Sequence, residues 1–231
     1  MRKRIVVALD YDNRESAMNL VEELTGLGCV FKIGLQMFTH LGPDFVRTLV
    51  ARGHDVFLDL KFYDIPNTVA GAVRAACELG VWMITVHALG GAEMLQSARK
   101  AVDLSQNHKP FLIGVTLLTS LDQQDLLTIT RDTVSLDNYV SSLALVAKNN
   151  GLDGVVCSAN EVPLVRDVCG KDFLLVTPGI RLVDMGDDQK RVVTPQKALR
   201  LGADCLVLGR PITQSARPRE VVIELLNSAK F

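Results

Sequence analysis

The sequence predicts a single (β/α)8 TIM barrel of the α/β class, with residues 1–231 forming one domain. Three observations predict it. The first two are that short apolar, β-branched runs recur along the chain and that amphipathic helical patterns separate them. Strands that are hydrophobic on both faces and alternate with helices are typical of a parallel sheet covered by helices. Glycines and prolines at the expected helix ends are the third observation.

The eight apolar runs are the predicted strands. They are RIVVAL (4–9), VFKIG (30–34), DVFLDL (55–60), WMITVH (82–87), FLIGVTL (111–117), DGVVC (153–157), FLLVT (173–177) and DCLVL (204–208). An open, doubly wound parallel sheet is the alternative architecture. It would more naturally carry a glycine-rich turn after the first strand, and ALDYDNRES contains none.

Helical patterns fill the segments between the runs, as in RESAMNLVEELTGLG, PDFVRTLVARG, NTVAGAVRAACELG, GAEMLQSARKAV and SLDNYVSSLALVAKNNG. Six glycines each follow a helical pattern and precede a strand, where a left-handed residue commonly ends a helix: Gly28, Gly53, Gly80, Gly151, Gly170 and Gly202. Pro43, Pro66, Pro163 and Pro195 stand near predicted helix starts, where a missing N–H costs little. Since no low-complexity linker divides the chain, we expect one domain.

The composition excludes several classes of partner. Lys plus Arg number 25 and Asp plus Glu 26, a net charge of −1, so neither nucleic acid nor an anionic membrane surface is expected to bind. The apolar run after MRKR is too short for a signal peptide, and FLIGVTLLT is too short to span a membrane. The five cysteines form no CxxC pair, which indicates free buried thiols in a reducing, cytoplasmic compartment.

Polar residues cluster at the predicted carboxyl ends of the strands, where barrels of this kind build their active sites. FLDLKFYDIPNTV places Asp59, Lys61 and Asp64 there. Asp59 and Lys61 are two apart on a strand, so both side chains point the same way, with Cα atoms about 6–7 Å apart. Lys32, one strand over, reaches the same mouth.

Carboxylates around Lys61 favour its ammonium form. A Schiff-base lysine needs a neutral amine, so Lys61 is interpreted as a proton donor or an electrostatic anchor. A structural ion-pair network that closes the barrel mouth is the alternative. A Mg2+ ion between Asp59 and Asp64 is disfavoured, because Lys61 would compete with it. His40, His54 and His108 form no metal-ligand spacing. We expect His87, at the end of the fourth strand, to be packed and hydrogen-bonded, with ligand binding as the alternative.

A second signal lies in the last two strand–helix units. VLGRPI ends the eighth strand with Gly209 and Arg210, where barrels often bind phosphate with backbone N–H groups. Arg210 would add a bidentate contact, although a solvent-exposed arginine is the alternative. The polar stretch from Arg181 to Gln189 is consistent with a lid that closes on an anionic ligand.

These motifs resemble the orotidine 5′-phosphate decarboxylase family over essentially the full chain. DLKFYDIPNT is similar to the family's D-x-K-x-x-D-I-P-N-T signature, and VALD and FKIG fit its substrate-contacting Asp and Lys. TPGIR, the DQ of GDDQKRVVTP, and VLGRPI are similar to its phosphate-loop and eighth-strand motifs.

The resemblance implies decarboxylation of orotidine 5′-monophosphate (OMP) to UMP and CO2 by a homodimer, without cofactor or metal. By motif position, Lys61 would donate a proton to C6, within a charged array of Lys32, Asp59, Lys61 and Asp64. The neighbouring subunit's site would receive Asp64, Ile65 and Thr68. The remaining substrate contacts would be Asp10 and Lys32 at the ribose, Thr119 and Ser120 at the pyrimidine, and Arg181, Gln189, Gly209 and Arg210 at the phosphate, with Pro178 lining the pocket.

Two other functions stay open. One is a related Mg2+-dependent phosphosugar decarboxylase or aldolase on the same scaffold, which a chelator would inhibit. The other is a non-catalytic barrel that binds a phosphate ligand and releases no CO2 from OMP. The DIPNT run and the pair of lysines at 32 and 61 favour the decarboxylase.

Overall fold

A computed structural model describes residues 3–181 and 193–228. Within these ranges, eight parallel strands close into a barrel in sequence order, with β1 paired to both β2 and β8. The strands are β1 (Arg4–Ala8), β2 (Val30–Gly34), β3 (Val56–Phe62), β4 (Met83–His87), β5 (Phe111–Val115), β6 (Gly154–Val156), β7 (Leu174–Thr177) and β8 (Cys205–Leu208). The predicted barrel is confirmed, and the open sheet is excluded.

Helices connect the strands on the outside of the barrel. They are α1 (Arg14–Leu24), α2 (Leu35–Ala51), α3 (Pro66–Glu78), α4 (Gly91–Asp103), α5 (Gln123–Thr130), α6 (Leu136–Asn149), α7 (Val162–Cys169), α8 (Pro195–Leu201), α9 (Arg210–Thr213) and α10 (Pro218–Ser228). None of the described helices is long and apolar enough to cross a membrane.

The helix ends lie close to the glycines and prolines that predict them. All six glycines named above adopt positive φ, from 70° at Gly28 to 105° at Gly202. Proline opens α3, α7 and α8 at their first or second position. The helical pattern that predicts a start at Pro43 marks only the second part of α2, which begins at Leu35 and kinks at Gly42, where φ is 61°. A proline removes an intrahelical hydrogen bond, which explains why the kink lies there.

The core has two layers because successive residues of a strand face opposite sides. In β1, Val6 and Ala8 face the barrel interior, whereas Ile5 and Val7 pack against the helices. The interior layer is apolar and consists of Val6, Ala8, Val30, Phe57, Met83, Ile113, Val176, Cys205 and Val207. At its amino-terminal end, Trp82 and Phe111 stack edge to face and Arg4 lies over the Trp82 ring. Apolar side chains therefore fill the barrel below its carboxyl-terminal mouth.

The five cysteines are all buried and free, as the sequence predicts. Burial raises the pKa of the Cys29 thiol to about 11 and that of Cys205 to about 12. Because the thiolate is the reactive form, these thiols belong to the core rather than to any redox site.

Glycine in β6 is predicted to be a packing requirement of the closed barrel. A Cβ at Gly154 would lie 2.2 Å from the Leu174 carbonyl oxygen, a backbone atom of β7, whereas one at Gly114 would meet only side chains at 3.0 Å or more. We expect Gly154→Ala to lower the free energy of unfolding by about 2–3 kcal/mol and Gly114→Ala by about 1 kcal/mol. Urea unfolding measures both values, and equal losses would contradict this account of the β6–β7 contact.

Candidate active site

An irregularity in β3 shapes the mouth of the barrel. Leu58 pairs with Ile84 and Phe62 with Val86, so four residue steps of β3 lie opposite two of β4. Within this bulge Lys61 has φ 51°; among the described residues only Arg131 is also a non-glycine residue with positive φ. The left-handed conformation costs roughly 1–2 kcal/mol at such a residue. Bulges next to active sites commonly re-aim a side chain, and that is its effect on Lys61.

Asp59 and Lys61 meet as the sequence predicts, but for a different reason. The prediction assumed a regular strand, in which residues two apart share a face. In the structure the bulge and the left-handed backbone of Lys61 break that regularity, and the Lys61 Nζ still lies 3.0 Å from Asp59 Oδ1. The side-chain proximity is therefore produced by an irregular backbone.

Thr85 on β4, which is not among the predicted site residues, holds this bulge together. The backbone N–H of Lys61 donates to Thr85 Oγ1 at 2.9 Å, and Thr85 Oγ1 donates to Asp59 Oδ1 at 3.0 Å. The Thr85 side chain has no solvent exposure. A signal was present, because Thr85 is the polar residue within the apolar run MITV, two positions before His87.

Two lysines converge on one carboxylate. The Lys32 Nζ lies 3.7 Å from Asp59 Oδ2 and 3.6 Å from Asp10 Oδ1. The side chains of Lys32 and Asp59 are each only 12% exposed, whereas that of Asp10 is 54% exposed. A Cβ at Gly34 would lie 3.2 Å from the Lys32 Nζ, so glycine there leaves space for the amine. With Lys61, whose side chain is 31% exposed, the less exposed part of the cluster carries two positive charges against one negative charge, which suits an anionic ligand.

A cavity of about 660 Å3 opens above this cluster at the carboxyl ends of the strands. Ten of the predicted site residues line it: Asp10, Lys32, Asp59, Lys61, Thr119, Ser120, Pro178, Arg181, Gly209 and Arg210. Its walls also include apolar side chains, among them Phe57, Val115, Val156, Val176 and Val207. Tyr11, Leu118, Thr213 and Gln214 line it as well and were not predicted. The volume suits a small organic ligand.

Two arginines line the end of the cavity that β7 and β8 form. Arg181 is buried, and its Nη1 donates to the Ile180 carbonyl at 3.0 Å. Arg210 is exposed at the mouth and begins the short helix α9 directly after Gly209. The Tyr11 hydroxyl donates to the Thr213 carbonyl at 3.3 Å, which ties the segment after β1 to the segment after β8.

Three of the predicted site residues that the structure describes do not line the cavity. Asp64, Ile65 and Thr68 are exposed outside it, and Ile65 is 67% exposed. Asp64 Oδ1 accepts a hydrogen bond from the Ile65 N–H at 2.6 Å, directly before α3. Gln189, with the rest of the predicted lid after Arg181, lies outside the described residues.

His87 is packed and hydrogen-bonded, as predicted. Its Nδ1 accepts a hydrogen bond from the Leu89 N–H at 3.3 Å, and its ring contacts Tyr63 with centroids 5.4 Å apart. Burial, and next the positive charge of Lys61, lower the pKa of His87 below its ordinary value of 6.5. In residues 3–181 and 193–228, no group of three or more His, Cys, Asp or Glu side chains is arranged to hold a metal ion.

His87 is predicted to report the position of the Lys61 charge. Lys61→Met should raise the pKa of His87, measured by NMR titration of the imidazole C–H signals, whereas Lys171→Met on the surface should leave it unchanged. Because the folded pKa lies below the unfolded one, the unfolded chain binds the proton first. Acidification below about pH 6.5 should therefore destabilise the wild type, and less so the Lys61→Met variant. An unchanged His87 pKa in Lys61→Met would contradict the contact.

Comparisons with known proteins identify the family. A family model described as Orotidine 5'-phosphate decarboxylase / HUMPS family matches residues 3–225. The chain is 52% identical over 227 residues to Orotidine 5'-phosphate decarboxylase of Legionella pneumophila (strain Corby), covering 98% of this chain and 99% of the relative. It is 52% identical over 225 residues to the protein of the same name from Vibrio atlanticus (strain LGP32), covering 96% of each.

A solved structure agrees with these relatives. The crystal structure of Orotidine 5'-phosphate decarboxylase from Lactobacillus acidophilus matches this chain with a TM-score of 0.89 at 35% sequence identity, covering 99% of this chain and 100% of that one. The match extends over the whole barrel, including the strands that carry the charged cluster. This chain belongs to the Orotidine 5'-phosphate decarboxylase / HUMPS family.

Proposed function

We propose that this protein decarboxylates OMP to UMP and CO2, the last step of de novo pyrimidine synthesis, with Lys61 as the proton donor. The observation that carries the proposal is the contact of the Lys61 and Lys32 amines with Asp59 at the base of a cavity open at the barrel mouth. The relatives at 52% identity carry the name of this activity over nearly their whole length. The reaction requires neither metal nor cofactor in this proposal.

The reaction requires a fixed positive charge beside C6 of the pyrimidine ring. When the bond from C6 to the carboxylate breaks, CO2 leaves and the electron pair stays on C6, in the plane of the ring. The Lys61 ammonium stabilises this negative charge and then transfers a proton to C6. Lys61 regains its proton from solvent after the product leaves. Asp59, 3.0 Å from the Lys61 Nζ, orients the donor.

Repulsion between Asp59 and the substrate carboxylate contributes less than this stabilisation. Two like charges about 4 Å apart repel by on the order of 4 kcal/mol at an effective dielectric constant of 20. Enzymatic rate enhancements typically require roughly 8–23 kcal/mol. Stabilisation of the carbanion by Lys61 must therefore supply the larger share.

The rest of the cavity binds parts of the nucleotide that do not react. Asp10 and Lys32 hold the ribose, while Thr119 and Ser120 face the pyrimidine. The phosphate is held by Arg181, Gly209, Arg210 and Gln189, with Pro178 lining the pocket. Binding energy from a phosphate remote from C6 can organise the charged cluster and close the mouth over the substrate.

A second subunit completes the site in this proposal. Asp64, Ile65 and Thr68 enter the neighbouring subunit's cavity, which places Asp64 in the alternating charged array of its partner. Exposure of these residues supports the assignment, as does the exposure of Tyr63, which contacts the His87 ring, and of Leu89, whose N–H donates to His87. Exposed large apolar side chains that lie near one another are typical of a protein interface. The five free, buried thiols support a cytoplasmic location.

Lys61→Ala is predicted to reduce the decarboxylation rate by at least about 10^3-fold, because it removes both the stabilising charge and the proton source. The loss of OMP absorbance measures the rate, with a chelator present so that a Mg2+-dependent reaction would be suppressed. Lys171→Ala, at an exposed lysine after α7, is the matched control and should retain wild-type turnover. Substantial turnover by a folded Lys61→Ala protein would exclude Lys61 as the donor.

Mixing two inactive variants tests the shared site. Lys61→Ala and Asp64→Ala chains, once exchanged, should recover up to about a quarter of wild-type activity, because half of the dimers are hybrids with one intact site each. Mass spectrometry of differently tagged chains verifies that subunits have exchanged. Exchange without recovery would contradict a site built from two chains.

A further inference from the structure

We infer that Thr85 is a positioning residue for this reaction: its hydroxyl holds Lys61 and Asp59 in their reactive arrangement without touching the substrate. The inference rests on the proposed function, since it concerns how the proton donor is aimed. Thr85 is fully buried on β4 and does not line the cavity, so any effect on the reaction passes through its two hydrogen-bond partners.

The hydroxyl has a defined donor and a defined acceptor role. A backbone N–H can only donate, so the Thr85 oxygen accepts from Lys61 at 2.9 Å. A hydroxyl has a single proton, and the Asp59 carboxylate, which can only accept, receives it at 3.0 Å. Threonine combines this hydroxyl with the shape of a β-branched side chain. Serine keeps the hydroxyl but lacks the methyl group.

One atom, Thr85 Oγ1, thereby fixes Lys61 both at its backbone and, through Asp59, at its ammonium group. The Asp59 Oδ1 that accepts from Thr85 also accepts from the Lys61 Nζ, at 3.0 Å. Thr85 thus anchors the backbone of Lys61 directly and its ammonium group through Asp59. Asp59 Oδ2 faces the Lys32 Nζ at 3.7 Å, so the orientation of the same carboxylate also sets its distance from the second amine.

The bulge explains why a side chain, Thr85, accepts the hydrogen bond of the Lys61 N–H. Where β3 carries two extra residues against β4, the Lys61 N–H is bonded to a side-chain oxygen of β4 rather than to a carbonyl of the β-ladder. The left-handed backbone of Lys61 is a conformation that persists only when its surroundings hold it in place. Removing the hydroxyl leaves the partly buried Lys61 N–H unsatisfied and the buried Asp59 carboxylate without one of its donors.

The test replaces Thr85 with valine, which keeps the shape and removes the hydroxyl. Thr85→Val should lower kcat for OMP by about 10- to 100-fold and change KM by less than about threefold, because the substrate contacts remain. Thr85→Ser keeps the hydroxyl and should restore kcat to within about threefold of the wild type. Thr116→Val is the matched control. Thr116 directly follows β5 and is as buried as Thr85, and its hydroxyl donates to the Val156 carbonyl, away from Lys61 and Asp59.

Three results would overturn the inference: a Thr85→Val kcat within about threefold of wild type, a Thr85→Ser kcat as low as that of valine, or an equal loss in Thr116→Val. If Thr85→Val does not fold, as judged by circular dichroism, Thr85→Ala removes the same hydroxyl with no methyl beside the carboxylate, and the same three criteria apply.

A second readout separates this inference from the proposed function. Displacement of the Lys61 ammonium in Thr85→Val should raise the pKa of His87 towards its value in Lys61→Met, as seen by NMR, whether or not the protein turns over OMP. A wild-type protein that releases no CO2 from OMP would refute the proposed function, and the His87 titration would still decide the positioning role. An unchanged His87 pKa in Thr85→Val would overturn that role.

Discussion

The contact between the Lys61 ammonium and the Asp59 carboxylate is the interaction on which the site depends. It lies at the junction between an apolar barrel interior and an open, polar mouth, where charges are less screened than on an exposed surface. A second amine, Lys32, shares the same carboxylate. With two amines and one carboxylate largely withdrawn from solvent, the cluster favours an anionic ligand and stabilises negative charge that develops beside it.

This contact is achieved at a structural cost. The β3–β4 ladder is interrupted, Lys61 adopts a conformation normally reserved for glycine, and its N–H depends on a side chain. The closed barrel tolerates these irregularities because its remaining strand pairs and two apolar layers hold β3 and β4 in place on either side. Irregular backbone of this kind is concentrated at functional sites, where strain and pre-organisation go together. In a regular strand, the alternation of side chains between the two faces would fix the direction of Lys61.

Much of the architecture was predictable because it depends on local rules. The runs from Arg4 to Leu208 alternate with helical patterns, and glycines such as Gly53 and Gly202 take the positive φ that their positions require. Polar residues at strand ends, among them Asp10 and Arg210, line one cavity because parallel strands all present their carboxyl ends to the same side. Helix α5 was not foreseen, since its apolar face is short and its start rests on a capping box at Asp122 and Asp125.

The sequence by itself determined the closed barrel, the free core cysteines, the family signature and the set of charges at the mouth, because each follows from periodicity, residue type or motif. Only the tertiary structure decided how those charges meet. The bulge in β3 exists only relative to the register of β4, and register is a relation between two strands that neither strand's own pattern contains. For the same reason Thr85 looked like an ordinary strand residue until β3 was placed beside it.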